Sequence, residues 1–363
     1  MFSQRVAKLK DQIKKQKLDA VFVSSVNNIS YLTGFTNFSK DEREAYLLIG
    51  QTFQYIITDG RYTEAVKDNV PHLTLYERAG GKTTEDLFKK LKAGIKTFAI
   101  EEDNLTVSEY KLIRKHFKNL KHFEVATLRH VKGKEELEKI EKACKLGDKV
   151  FDYIVRKIKV GLKEKEIAYE MERFVKERGA EMSFSSIVAF GKNSSVPHHQ
   201  TGDSILERKD GQFVLLDFGV KFEDYCSDMT RTIFFGIPTE KQKEIYKVVL
   251  KAQQKAIEFL NSKSRTNEET IAQEVDMVAR EYIKSKGYPS IPHSLGHGIG
   301  LEVHEYPYIS PKSKQVLKEG MVFSIEPGIY LKGIGGVRIE DLFLYKKDGL
   351  KQLTNSPKEL TII

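Results

Sequence analysis

The 363-residue sequence predicts an α+β protein of two domains. Three observations lead there. The chain is too long for one ordinary hydrophobic core. Its first third alternates strand-like with helix-like runs, the grammar of an α/β domain. Beyond that point, long helical stretches alternate with antiparallel hairpins rather than single strands, which suggests a curved antiparallel sheet backed by helices. The N-terminal α/β domain is placed at residues 1–126 and the second domain at residues 127–363.

Phe2–Lys17 has the apolar spacing of an amphipathic helix, and Asp19–Ser25 reads as a strand. Tyr46–Ile49 and Phe53–Thr58 form a candidate hairpin, followed by a helix from Tyr62. Thr84–Lys92 reads as helix, Thr97–Ile100 as strand and Val107–Phe117 as helix, completing a domain with a mixed sheet. After Val125–Val131 comes a long helical stretch, Glu135–Lys157, rich in charge pairs four residues apart. Further helices are expected over Lys163–Arg178, Glu240–Leu260 and Glu268–Lys286.

Hydrophobic residues at 40% and charged residues at 31% are ordinary for a soluble globular protein. A net charge of +9 admits an anionic partner. The lysines, however, are scattered and interleaved with acids, Trp is absent, and no aromatic-basic stripe stands out, so nucleic acid is not an expected partner. Two cysteines, Cys144 and Cys226, make no disulfide framework and read as small buried residues. Cys226 lies two positions before Asp228 and alternates onto its face, within possible reach of a metal. With no signal-peptide pattern and no run of about 20 apolar residues, a cytoplasmic setting without a membrane partner is expected.

Chemistry concentrates in two pairs of carboxylates. Phe213–Gly219 and Ser227–Ile233 flank a turn expected at Phe222-Glu223, which would make Asp217 and Asp228 direct cross-strand partners. Met321–Glu326 and Val337–Glu340 flank a turn centred on Gly333, which sets Glu326 against Glu340. Opposed side chains have Cβ atoms about 4.5–5.5 Å apart, where like charges are destabilising. Four carboxylates embedded in apolar strands need compensation, and divalent cations are the usual source.

Three of the nine histidines fall between Pro292 and Glu305: His293, His297 and His304. The spacing of His293 and His297 matches two zinc ligands on one helical turn. Ser294, however, stands where that motif needs glutamate, and glycines at 296, 298 and 300 would each cost a helix about 1 kcal/mol. Extended backbone and close turns are the better reading, with His297 as the central candidate to add a neutral nitrogen to the carboxylates. His198 and His199 follow the turn-rich Gly191–Pro197 and read either as a site rim or as an exposed loop.

In this order, Asp217, Asp228, His297, Glu326 and Glu340 resemble the five-ligand dinuclear set of the "pita-bread" metallopeptidases. That family includes methionine aminopeptidase, aminopeptidase P and prolidase, with creatinase as a non-metal relative. The run His293–Glu305 resembles the signature of the proline-specific branch. Leu215–Gly219, Ser227–Thr232, Ser324–Gly328 and Gly336–Asp341 are also typical, and Asn28–Phe35 and Thr58–Tyr62 resemble the N-terminal domain of Xaa-Pro peptidases. The resemblance spans essentially the whole chain and implies a creatinase-like N-terminal domain ahead of a pita-bread catalytic domain.

It further implies a metal-dependent exopeptidase that cleaves between an N-terminal residue and proline by attack of a metal-bridging hydroxide. Asp217 would bind one metal, His297 and Glu326 the other, with Asp228 and Glu340 bridging. The carboxylate-rich set favours Mn²⁺, with Co²⁺ or Zn²⁺ as alternatives. Glu326 would also serve as general base, His198 and His304 would flank the scissile carbonyl, and His293 and Arg338 would line the proline side. Arg338 has an alternative role in neutralising the acids, and Asp341 points to the opposite face of its strand. The expected substrates are short peptides with proline second, and the expected assembly is a homodimer.

Aminopeptidase P and prolidase are not separated by these motifs. Methionine aminopeptidase usually lacks the large α/β domain, creatinase lacks the complete metal set, and non-catalytic pita-bread binding modules typically lose ligands that are all present here. His199-Gln200-Thr201 departs from the commoner family continuation, which leaves His198 and His199 both open for the substrate site.

Overall fold

The structure, a computed structural model, describes residues 1–266 and 268–363. It divides into two compact units, Met1–Arg129 and His130–Ile363. The first is built on a six-stranded mixed sheet in the order Thr74–Glu77, Gln54–Thr58, Tyr46–Gly50, Ala20–Val23, Phe98–Ile100, Leu120–His122. The expected hairpin is present, with Tyr46 opposite Ile57 and Ile49 opposite Gln54. Phe98 stacks on Phe117 at 4.0 Å, and Phe22 meets Phe88 edge-on, so the aromatic residues of strands and helices share one core.

Helices run over Phe2–Lys15, Thr84–Leu91 and Val107–His116, close to their expected bounds. Thr83 with Asp86 and Thr106 with Glu109 form capping boxes at the last two, satisfying N–H groups that a helix start leaves over. At Tyr62 a short 3₁₀ turn, Gly60–Tyr62, precedes the helix Thr63–Asn69. The helix Val26–Thr33 escapes periodicity because eight residues give too few turns. The Ser25 side chain caps it by accepting from the Asn28 amide, and buried Glu101 fixes the entry to it by accepting from the Ser24 and Ser25 amides at 2.6 and 2.8 Å.

In the second unit, Lys134–Val155 and Glu164–Lys176 pack through Val150, Ile154, Ile167 and Met171 against Val188, Val214 and Leu216 of a three-stranded sheet. Glu240–Thr266 and Ala272–Ser285 pack against Phe323, Ile325 and Phe343 of a five-stranded sheet. Every strand pair described in this unit is antiparallel. Ala272–Ser285 starts four residues later than the expected Glu268. Glu274 accepts from the Ile271 amide at 3.2 Å, and Ile271 is bridged to Val316, so the chain ahead of Ala272 is extended.

The two carboxylate hairpins differ in how they meet expectation. In the first, Phe222 pairs with Tyr225, and the turn is Glu223-Asp224, both at positive φ (47° and 71°), as a tight hairpin turn requires. The register is therefore displaced by two residues: Asp217 faces Thr230, not Asp228. A shift of two keeps parity, so Asp228 still falls on the face of Asp217. The strand breaks at Gly219, where a Cβ would run into the Ser227 carbonyl, and the Ser227 hydroxyl accepts from the Val220 amide at 3.0 Å. In the second hairpin Gly333 does sit at the turn. Gly328 pairs with Arg338 and Ile325 with Asp341, which leaves Glu326 opposite Glu340 across the break at Pro327. Gly296–Gly298 is a strand, as the glycines required, and carries His297 at its centre.

Candidate metal centre

Alternation along these strands turns Asp217, Asp228, His297, Glu326 and Glu340 toward one point. Ligating atoms of Asp217, Asp228 and Glu340 all lie within 4.8 Å of one another, as do those of His297, Glu326 and Glu340. Asp228, His297 and His304 form a third such group. Glu340, Asp228 and His297 each belong to two of these groups, so the groups overlap. His297 Nε2 stands 3.3 Å from Glu326 Oε1, 3.6 Å from Asp228 Oδ2 and 3.9 Å from Glu340 Oε1.

The donors fit divalent cations on their own evidence. Asp228 Oδ1 and Glu340 Oε1 are buried with no hydrogen-bond partner among the described residues, a costly state for a carboxylate. Burial, and next the Glu340 charge, raises the pKa of Asp228 and Glu326; burial, and next the Asp217 charge, raises that of Glu340. The bare cluster thus holds protons that a cation would replace. His297 Nδ1 lies 3.1 Å from the Gly298 carbonyl, which can only accept, so Nδ1 carries the proton and Nε2 turns its lone pair to the acids. Burial lowers its pKa to about 3, keeping the ring neutral. Oxygen-rich sites with one imidazole suit hard to borderline ions.

Residues 138–347 match the metallopeptidase family M24, and residues 5–131 match the creatinase/prolidase N-terminal domain. The chain belongs to metallopeptidase family M24. It is 38% identical to a Xaa-Pro dipeptidase of Pyrococcus horikoshii, over 99% of both chains. Among solved structures, it is similar to a Xaa-Pro dipeptidase from Bacillus anthracis at 34% identity, covering 100% of both chains with a TM-score of 0.91. It is also similar to an X-Pro aminopeptidase from Thermotoga maritima at 35% identity, covering 96% of this chain and 98% of that one, with a TM-score of 0.82. M24 membership implies use of a divalent metal, and the five residues above are a clustered group suited to hold it.

Around this M24 cluster lies a hydrogen-bonded frame centred on Arg338. Its guanidinium donates to Asp217 Oδ2 (2.6 Å), Thr230 Oγ1 (2.9 Å), Tyr330 Oη (2.8 Å) and the Pro197 carbonyl (3.3 Å). Thr230 in turn donates to Glu340 Oε2 at 2.7 Å. Tyr330 Oη is 2.9 Å from His293 Nε2, whose Nδ1 faces the Ser294 carbonyl at 2.7 Å. Because that carbonyl only accepts, the donor direction runs from Arg338 through Tyr330 and His293 to Ser294. Burial lowers His293 to about 4. Thr230 and Tyr330 were not singled out in sequence, yet both could have been found by parity. Thr230 is two residues from Asp228, and Tyr330 is the diagonal cross-strand neighbour of Arg338.

A cavity of about 440 Å³ opens over the cluster. Phe184, Ile187, Pro197, Val303 and Tyr308 give it apolar walls, and His198, His293, His304 and Arg338 line it too. His304 meets His297 edge-on at 4.3 Å. His198 lies on this cavity, whereas His199 turns away and donates to buried Glu164 at 2.9 Å. Cys226 packs with Ile140, Cys144 and Ile299 in an apolar cluster rather than with the acids. A larger cavity, about 600 Å³, lies in the first unit between Phe22, Arg78 and Phe88, but no group of metal-ligating side chains lines it among the described residues. None of the described helices is long and apolar enough to cross a membrane.

Proposed function

We propose that the protein hydrolyses the peptide bond before proline in Xaa-Pro dipeptides, using two divalent ions, Mn²⁺ foremost. The observation that carries this reading is the convergence of five ligating side chains, two with partnerless carboxylate oxygens, beneath an apolar-walled cavity. Asp217 would hold one ion, His297 and Glu326 the other, and Asp228 and Glu340 both. When bound, such ions act as Lewis acids and bring the pKa of a coordinated water near neutrality.

The chain's own residues do the rest. Glu326, whose carboxylate lines the cavity, would take a proton from the attacking water. Burial holds His304 below the ordinary histidine pKa, so at neutral pH it is uncharged and donates a single N–H. With His198 it would stabilise negative charge growing on the scissile carbonyl oxygen, where one lost donor typically costs about 3–4 kcal/mol. The amide before proline has no N–H to recognise, so selectivity must come from an apolar slot for the ring, with His293 and Arg338 on the proline side.

Relatives named as Xaa-Pro dipeptidases favour dipeptides, and the likeness to the Thermotoga X-Pro aminopeptidase keeps longer peptides as the second reading. The test is hydrolysis of a Xaa-Pro dipeptide and a Xaa-Pro-Xaa tripeptide by Mn²⁺-loaded protein, with Asp228→Ala as control. Cleavage of the dipeptide alone supports the proposal, and efficient cleavage of the tripeptide makes the protein an aminopeptidase. If neither is cut and the variant matches the wild type, the fold serves binding instead.

A further inference from the structure

His198 belongs to a loop, yet a group that stabilises a transition state must be held to within a fraction of an ångström. The residues on either side of it are each anchored. The Pro197 carbonyl accepts from Arg338 at 3.3 Å, and the His199 ring donates through Nε2 to Glu164 Oε2 at 2.9 Å. Glu164 is the first residue of the helix Glu164–Lys176, and its side chain is 0% exposed. Its carboxylate accepts from four groups of the one segment that carries His198: Oε1 takes the Phe190 amide and Asn193 Nδ2, both at 2.8 Å, while Oε2 takes His199 and, at 3.2 Å, the Gly202 amide. A carboxylate at a helix start is further favoured by the helix dipole. Among the described residues, none is hydrogen-bonded to the His198 side chain, so its place depends on these neighbours.

We propose that Glu164 and His199 form a clamp that positions His198 over the cavity, so that His199, although outside the site, sets the rate of the proposed reaction through His198. This rests on the role given to His198 above. Both clamp residues are positioning residues. An apolar residue at 199 would remove the side-chain anchor next to His198 and leave Thr201 and Gly202 as the nearest ones on that side, letting the His198 ring swing without changing the cluster beneath it.

A double-mutant cycle tests this, with kcat, KM and bound Mn²⁺ measured for wild type, His199→Ala, His198→Ala and the double variant. His199→Ala is expected to lower kcat about tenfold, with KM changed less than about threefold and the metal content unchanged. In the His198→Ala background the same substitution should cost less than about twofold, because there is no ring left to position. His199→Gln, whose amide can still donate to Glu164, should recover most of the loss. Equal losses in both backgrounds, or no loss in either, would overturn the clamp while leaving His198 in place. Full activity of His198→Ala would instead overturn the role of His198 and the clamp with it.

Discussion

Glu340 and Asp341 are consecutive in the chain, 2% and 0% exposed, at the start of the strand Asp341–Lys346, and their side chains meet different partners. Asp341 is surrounded: its oxygens accept from Arg231 (2.6 Å), Thr354 (2.8 Å) and Gln253 (2.9 Å), and Lys358 pairs with it at 3.1 Å. Among the described residues, the Glu340 side chain accepts only from Thr230, and its Oε1 has no partner, as is true of Asp228 Oδ1 across the cluster. Burial is the same on both faces and does not distinguish them. What differs is whether the oxygens are filled. A buried carboxylate with every lone pair occupied belongs to the scaffold, and one with oxygens left over, beside others like it, is suited to hold a cation.

Several substitutions break this contrast in measurable ways. The largest effect belongs to the unfilled face: Asp228→Ala or Glu340→Ala should cut peptidase activity by about a thousandfold or more, since each would remove several kcal/mol of charge stabilisation. On the filled face, Asp341→Ala should destabilise the fold by about 3–5 kcal/mol in denaturant titrations, with or without Mn²⁺, because it strands the buried Arg231 guanidinium. Equal sensitivity of that loss to metal would erase the distinction between the faces.

The pH dependence of the metal-stripped protein separates them further. Burial and mutual repulsion raise the pKa values of Asp228, Glu326 and Glu340. Their folded state therefore binds more protons than the unfolded state, and stability is lost as pH rises toward the folded pKa values. Buried His297 and His293, lowered from 6.5 to about 3 and 4, act oppositely, but only as pH falls below 6.5. Above pH 6.5, then, stripped protein should lose stability with rising pH, at up to about 1.4 kcal/mol per unit for each proton released. Asp228→Asn should flatten that slope, and thermal melts between pH 6.5 and 8.5 would show it. The smallest expected effect is at the frame: Thr230→Val, which deprives Glu340 of its donor, should weaken Mn²⁺ binding about tenfold.

Much of this contrast was legible in sequence, because strand parity is a strict period-two rule. Parity placed Asp217 with Asp228, Glu326 near Glu340, and Asp341 away from them, and it survived the misplaced turn because the register slipped by two. The turn itself was misread because Glu223-Asp224 lacks the glycine or asparagine that usually marks positive φ. The frame was less legible. Parity puts Thr230 and Tyr330 on the right face without saying what they touch, whereas the Glu164–His199 contact joins a helix start to a loop, and a single sequence does not encode that distance locally. The start of Ala272–Ser285 was set by a bridge from Ile271 to Val316, equally invisible to periodicity.

The central claim, that unfilled carboxylates beneath the cavity form a two-ion site, is tested most directly by calorimetric titration of Mn²⁺ into metal-stripped protein. Two equivalents should bind per chain, with proton release, and Asp228→Ala should abolish at least one of them while Asp341→Asn, if folded, keeps both. Binding of fewer than two ions by the wild type, or two ions retained by Asp228→Ala, would contradict it.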